Sequence, residues 1–138
     1  MTEKRLADRS IGEKYVGDEV RLVTPTEVDL FCNITGMRGD AFLNEEAARA
    51  LGMKNRVAPG AMSLAIVFAL LGKFLEGAIF TGLNNLKMLA PVYPYDKLAA
   101  ESEVLGKKVT SKGDRVFVTY SWTLKNQDGV AVAQGENT

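Results

Sequence analysis

Ala58-Pro59-Gly60-Ala61-Met62-Ser63-Leu64-Ala65-Ile66-Val67-Phe68-Ala69-Leu70-Leu71-Gly72 is a run of 15 residues without a charge. From about Ala61 to Leu75 it predicts a helix. Met62, Leu64, Ile66, Val67, Phe68, Leu70 and Leu71 put apolar side chains on nearly every face of that helix. A helix apolar all round is wrapped by other structure on all sides. The run is too short for the ~20 residues that cross a bilayer, so it reads as a core helix and no membrane partner is expected. At its head, Gly60 and Ala61 offer backbone N–H groups with no partner inside the helix, a place that suits a partial or developing negative charge.

Working outward toward the C-terminus, the pattern changes to strands. Leu86–Val92 is one, ended by Pro91, Pro94 and a turn at Tyr93-Pro94-Tyr95-Asp96. Lys97–Val109 is a long second. Arg115–Lys125 alternates, with Val116, Val118, Tyr120, Trp122 and Leu124 on one side and Thr119, Ser121 and Thr123 on the other. That period of two is the mark of a half-buried strand. Val130–Gln134 is the last. Ser111-Lys112-Gly113-Asp114 and Asn126-Gln127-Asp128-Gly129 read as turns joining antiparallel neighbours. One wrapped helix followed by long antiparallel strands predicts an α+β fold, a curved antiparallel sheet around the helix, in a single domain over 1–138. The sheet's exposed edge invites a second copy, so a homodimer or higher assembly is expected.

Toward the N-terminus, residues 1–14 read as a polar leader, with order beginning near Tyr15-Val16. Glu19–Val23 reads as a strand. Thr24-Pro25-Thr26-Glu27 is a helix start, with Thr24 as N-cap, Pro25 at the first helical position and Glu27 completing a capping box. That helix should bury Val28, Phe31, Cys32 and Ile34 or Thr35, and stop at Gly36. Met37 to Phe42 follows as a loop. Asn44 caps a short helix over Glu45–Leu51 with acids in its first turn.

The composition excludes much chemistry. Lysine plus arginine is 17 and aspartate plus glutamate is 17 in 138 residues, so no basic field exists to attract nucleic acid. The chain has no histidine and one cysteine, Cys32. Ser-His-Asp and Cys-His catalysis are therefore ruled out, a metal site would rest almost wholly on carboxylates, and neither metal nor cofactor is expected. A lone thiol and a charged start without an apolar leader suit a reducing cytoplasm.

Several stretches together resemble one family. Tyr15-Val16-Gly17-Asp18-Glu19 is similar to its entry into the first strand. Asn44-Glu45-Glu46-Ala47-Ala48 through Gly52, then Arg56-Val57-Ala58-Pro59-Gly60-Ala61-Met62, is similar to its approach to the central helix. Asn85 to Asp96 is similar to the strand and turn beyond, and Asn126-Gln127-Asp128-Gly129 with Ala133-Gln134-Gly135-Glu136 to its final hairpin. In order and spacing these resemble the MaoC-like group of (R)-specific enoyl-CoA hydratases and 3-hydroxyacyl dehydratases, which has the hot-dog fold.

The resemblance implies an acyl thioester as ligand, linked to CoA or to an acyl-carrier protein. It also implies a glycine amide that binds the thioester carbonyl, and an aspartate with a histidine five residues on that activates water. Aligned from Gly60 without gaps, Met37 stands at the aspartate, Gly39 at an asparagine, Phe42 at the histidine and Pro59 at a second histidine; only Gly60 matches. The expected site is thus Gly60 and Ala61 with an apolar Met37 and Phe42, and with Arg56 as either a holder of a CoA phosphate or a plain solvated cation. The standard hydratase chemistry is expected to be absent. The alternative is an active hydratase, dehydratase or hot-dog thioesterase that uses a substitute carboxylate. Asp40 is the first choice for that carboxylate, although a plain turn aspartate explains it too.

Overall fold

The structure, a computed structural model, describes residues 4–138. Six strands form one sheet: β1 (Lys14–Val16), β2 (Arg21–Leu22), β3 (Leu83–Met88), β4 (Lys97–Val109), β5 (Val116–Lys125) and β6 (Ala131–Asn137). Their order is β1-β4-β5-β6-β3, with β2 also on β4, and every pairing is antiparallel. Four helices accompany them: α1 (Pro25–Thr35), α2 (Asp40–Leu43), α3 (Glu45–Ala50) and α4 (Gly60–Leu70). This is the mixed α and β architecture, with an antiparallel sheet and a central helix, that the sequence implied.

The alternation in β5 does what period two requires: Val118, Tyr120, Trp122 and Leu124 are buried. Across the ladder, Leu98, Ala100, Ser102 and Val104 of β4 and Val132, Ala133 and Asn137 of β6 are buried as well. Against this face α4 buries Met62, Ile66, Val67 and Leu70, each worth about 1.5–3 kcal/mol in apolar surface removed from water. Trp122 packs so tightly on Gly135 that a Cβ there would stand 2.7 Å from its ring. Its indole N–H donates to Asn137 Oδ1 at 3.0 Å, and Asn137 Nδ2 donates to the Tyr120 hydroxyl at 3.2 Å.

The central helix departs from expectation in two ways. It ends at Leu70 rather than Leu75, and turns carry Leu71 and Phe74 on into the core, so the apolar period outlasts the helix. It is also not covered all round: Ala61, Ala65 and Ala69 form an exposed stripe at i, i+4 and i+8. Alanine scores as apolar yet loses little in water, so composition alone overstated the covering.

The supposed polar leader is built into the fold from Lys4 onward; residues 1–3 lie outside the described residues. Leu6 is buried in a single 3-10 turn, Leu6–Asp8, and its amide donates to Glu76 O at 3.0 Å. Arg9 is buried between the rings of Tyr15 and Phe74, at 5.5 and 4.9 Å from their centroids, and is paired with Glu13 at 2.8 Å. Lys107 Nζ donates to the carbonyls of Ala7 and Arg9. The charges that read as solvent-seeking are spent on rings, ion pairs and backbone.

Smaller corrections follow the same physics. Thr24 caps α1 as expected by accepting from Glu27 N at 3.2 Å, but the Glu27 carboxylate goes to Arg21 instead of closing the capping box. Ile34 is 74% exposed, so Val28 and Cys32 carry that helix's core face. The strand expected over 19–23 shrinks to Arg21–Leu22. The one expected over 86–92 starts at Leu83, where β6 offers it a ladder, and stops at Met88.

Candidate functional site

Pro59 is buried at φ −57°, ψ 142°, and delivers the chain into α4 without a side-chain cap. The amides of Met62 and Ser63 turn back to Pro59 O at 2.9 and 3.3 Å. Those of Gly60 and Ala61 have no acceptor among the described residues, so they carry the unspent positive end of the helix. Ala61 is exposed and Gly60 half-buried. Over Gly60 lies Met88: a Cβ at position 60 would meet its Cε at 3.2 Å. The approach is fixed by Ala58 N donating to Val92 O at 2.8 Å.

The Met37–Phe42 segment reaches the same end of the molecule. Gly36 ends α1 in the left-handed region, at φ 75°, a conformation glycine adopts without a Cβ penalty. The expected loop then contains a short helix, α2, with Asp40 at its first position. Asp40 is exposed there, and its carbonyl accepts from Asn44 N. The Phe42 ring folds back on Gly39, where a Cβ would meet it at 3.0 Å, and packs on the core. Met37 is half-buried. Val57 N donates to Ala41 O at 3.0 Å, which stitches α2 to the chain three residues before Gly60.

Arg56 is tied to α1. Its guanidinium is largely buried and bonds Asp29 at 2.6 Å and Pro25 O at 2.8 Å, both on the first half of α1. Those bonds take two of its five N–H donors and make Arg56 a strut between α1 and the α4 entrance. Asp29 was missed because nothing in the sequence marks a partner 27 positions away. Cys32 is buried beneath the same strut. Burial pushes its thiol up and Asp29 adds to that, against the pull of Arg56. It stays a neutral thiol and an inert core group.

Two features escaped the sequence. Met88, the roof over Gly60, lies on β3, whose far edge has no strand beside it among the described residues. A hollow of about 500 Å³ lies between α1 and α4, with Leu30, Phe31 and Ile34 on one side and Met62, Ile66 and Leu70 on the other. Met37, Phe42 and Gly60 do not line it. No helix among the described residues is long and apolar enough to cross a membrane.

Residues 7–126 match the model of the MaoC like domain. The chain is 31% identical over 120 residues to an (R)-specific enoyl-CoA hydratase of Rhodospirillum rubrum, covering 86% of this chain and 79% of that protein. Among solved structures it resembles a monoamine oxidase regulatory protein from Archaeoglobus fulgius, with a TM-score of 0.86 at 26% identity, over 97% of this chain and 91% of that one. It also resembles an unliganded R-hydratase from Pseudomonas aeruginosa, with a TM-score of 0.76 at 28% identity, over 96% and 82% of the two chains.

Proposed function

The chain belongs to the MaoC-like domain family, and from that premise we propose that it binds an acyl thioester without hydrating it. One observation carries this reading: the Gly60 amide is unspent at the head of α4, while the side chains supplied by the neighbouring segment are Met37 and Phe42. A thioester oxygen accepting from Gly60 N–H would be polarised by the helix end. Positioned acid and base groups are each worth about 10²–10⁴ in rate, and thioether and phenyl groups supply neither. The ligand is CoA-linked or carrier-linked. Arg56, held by Asp29, leaves any phosphate to other cations.

The functional unit in this reading is a homodimer. β3 exposes its outer edge, with Leu86 and Met88 on it and Leu89 just beyond, and an unpaired apolar edge is a template for a second copy. Because Met88 belongs both to that edge and to the roof over Gly60, pairing would set the roof's position. Light scattering at micromolar concentration should give twice the chain mass.

A second reading keeps the chemistry, and its support is the hydratase named among the relatives. It needs Asp40, exposed at the start of α2, to act as the missing base. Incubation with crotonyl-CoA, followed through the absorbance of the conjugated thioester, separates the two. Binding without loss of absorbance supports the first reading. Turnover that Asp40→Asn abolishes, with binding retained, supports the second.

A further inference from the structure

The Trp122–Asn137–Tyr120 chain has a fixed direction. An indole N–H can only donate, so it orients the Asn137 amide with Oδ1 toward Trp122. That leaves Nδ2, also donor only, facing the Tyr120 hydroxyl. Tyr120 Oη is thereby an acceptor on that side, and its own hydrogen must point elsewhere. Asn137 is the only side chain bonded to this hydroxyl among the described residues, and Tyr120 is just 4% exposed. A buried donor left unpaired destabilises the fold.

What lies beside Tyr120 is a crevice of about 190 Å³ that opens to solvent past the exposed Ile79 and Phe80. Its walls include Leu6, Phe68, Leu75, Ile79 and Phe80, with Thr138 beside them. The polar groups of Thr138 are already engaged: its hydroxyl with Thr119, its carbonyl with Thr81 and Gly82, and its amide with Gly82 O. The space is therefore walled mainly by apolar side chains, with the Tyr120 side chain among them.

We propose that this crevice binds a small apolar molecule carrying a single acceptor oxygen, such as a ketone, which takes the Tyr120 hydrogen. The oxygen makes the difference here, because the relay leaves Tyr120 a hydrogen to donate. Burial also pushes the Tyr120 hydroxyl above its ordinary range, partly offset by Asn137, which keeps the hydrogen in place. Phe68 lies eight residues from Gly60, ~12 Å along α4, so the site does not depend on what Gly60 binds.

The test compares acetophenone with ethylbenzene, near-isosteres that differ at the carbonyl, by NMR titration of the full chain. Wild type should bind acetophenone about five- to tenfold more tightly, the size of one net hydrogen bond, with shifts centred on Phe68, Phe80 and Tyr120. Tyr120→Phe should keep ethylbenzene affinity and lose the preference. Phe68→Trp, which fills the crevice while leaving the relay intact, should lose both ligands, and it decides the matter if Tyr120→Phe does not fold. Equal affinities in wild type, a preference that survives Tyr120→Phe, binding that survives Phe68→Trp, or no binding of either compound overturns the proposal.

Discussion

Met88 lays its terminal methyl over the head of α4, 3.2 Å from where a Cβ on Gly60 would stand. Nothing in the buried core demands glycine at this point; the tight neighbour is the far end of a flexible, half-exposed side chain. The glycine keeps space open above an unspent amide. Gly60→Ala should therefore change stability by less than about 1 kcal/mol, since Met88 can swing aside. The added methyl and the displaced Met88 crowd the approach to the amide, which alanine retains, so acyl-thioester binding should weaken by up to about tenfold, the worth of one strong hydrogen bond. Thermal unfolding and calorimetric titration with an acyl-CoA read the two effects separately.

Arg56 tests the division between structure and ligand. Removing a largely buried guanidinium that bonds Asp29 and the Pro25 carbonyl should cost about 1.5–3 kcal/mol of stability in Arg56→Ala. Arg56→Lys should recover little, because a lysine cannot reproduce the fork. Denaturant midpoints measure both. Acyl-CoA affinity measured well below the midpoint should be unchanged, because Asp29 and the Pro25 carbonyl hold the guanidinium against α1.

Gly135 has the closest neighbour of any described glycine: an added Cβ would stand 2.7 Å from the Trp122 ring. Trp122 is fully buried and pinned by its bond to Asn137, so it cannot yield cheaply. Gly135→Ala should cost about 1–3 kcal/mol, the range for overpacking a core. Chemical denaturation with the indole fluorescence as reporter gives the number.

The N-terminal segment carries an acid-sensitive lock. Glu13 has its carboxyl lowered to about 2 by hydrogen bonds from Lys4 and then Arg9. The folded state thus holds this proton less readily than the unfolded chain, whose glutamate has the ordinary value of 4.5. The pair's contribution is complete above about 4.5 and fades as pH falls toward about 2. Glu13→Gln should lower the melting temperature at pH 6, with the gap from wild type closing across that window. A gap that stays constant contradicts the assignment.

How much could be read from residues alone follows from the range of each signal. The period-two run from Val118 to Leu124 and the cap at Thr24 are local patterns, and both stand as read, while Val116 at the start of the strand is exposed. The charged start from Lys4 to Glu13 was misread because its partners, Phe74, Glu76 and Lys107, are distant in sequence. At the candidate site, the open amides of Gly60 and Ala61 were legible as a helix start. The roof over them was not, because Met88 arrives through a strand pairing with β6. Arg56 was visible as a cation, yet only the packing of α1 reveals that it is already occupied.

The central claim is that Gly60 N–H holds a thioester oxygen that nothing nearby hydrates. It is tested most directly by titrating ¹⁵N-labelled protein with crotonyl-CoA and following protein and ligand signals in the same tube. The expected result is a saturating shift of the Gly60 amide, with the crotonyl vinyl protons undiminished over hours. An amide that does not respond, or the growth of a 3-hydroxyacyl product, would contradict it.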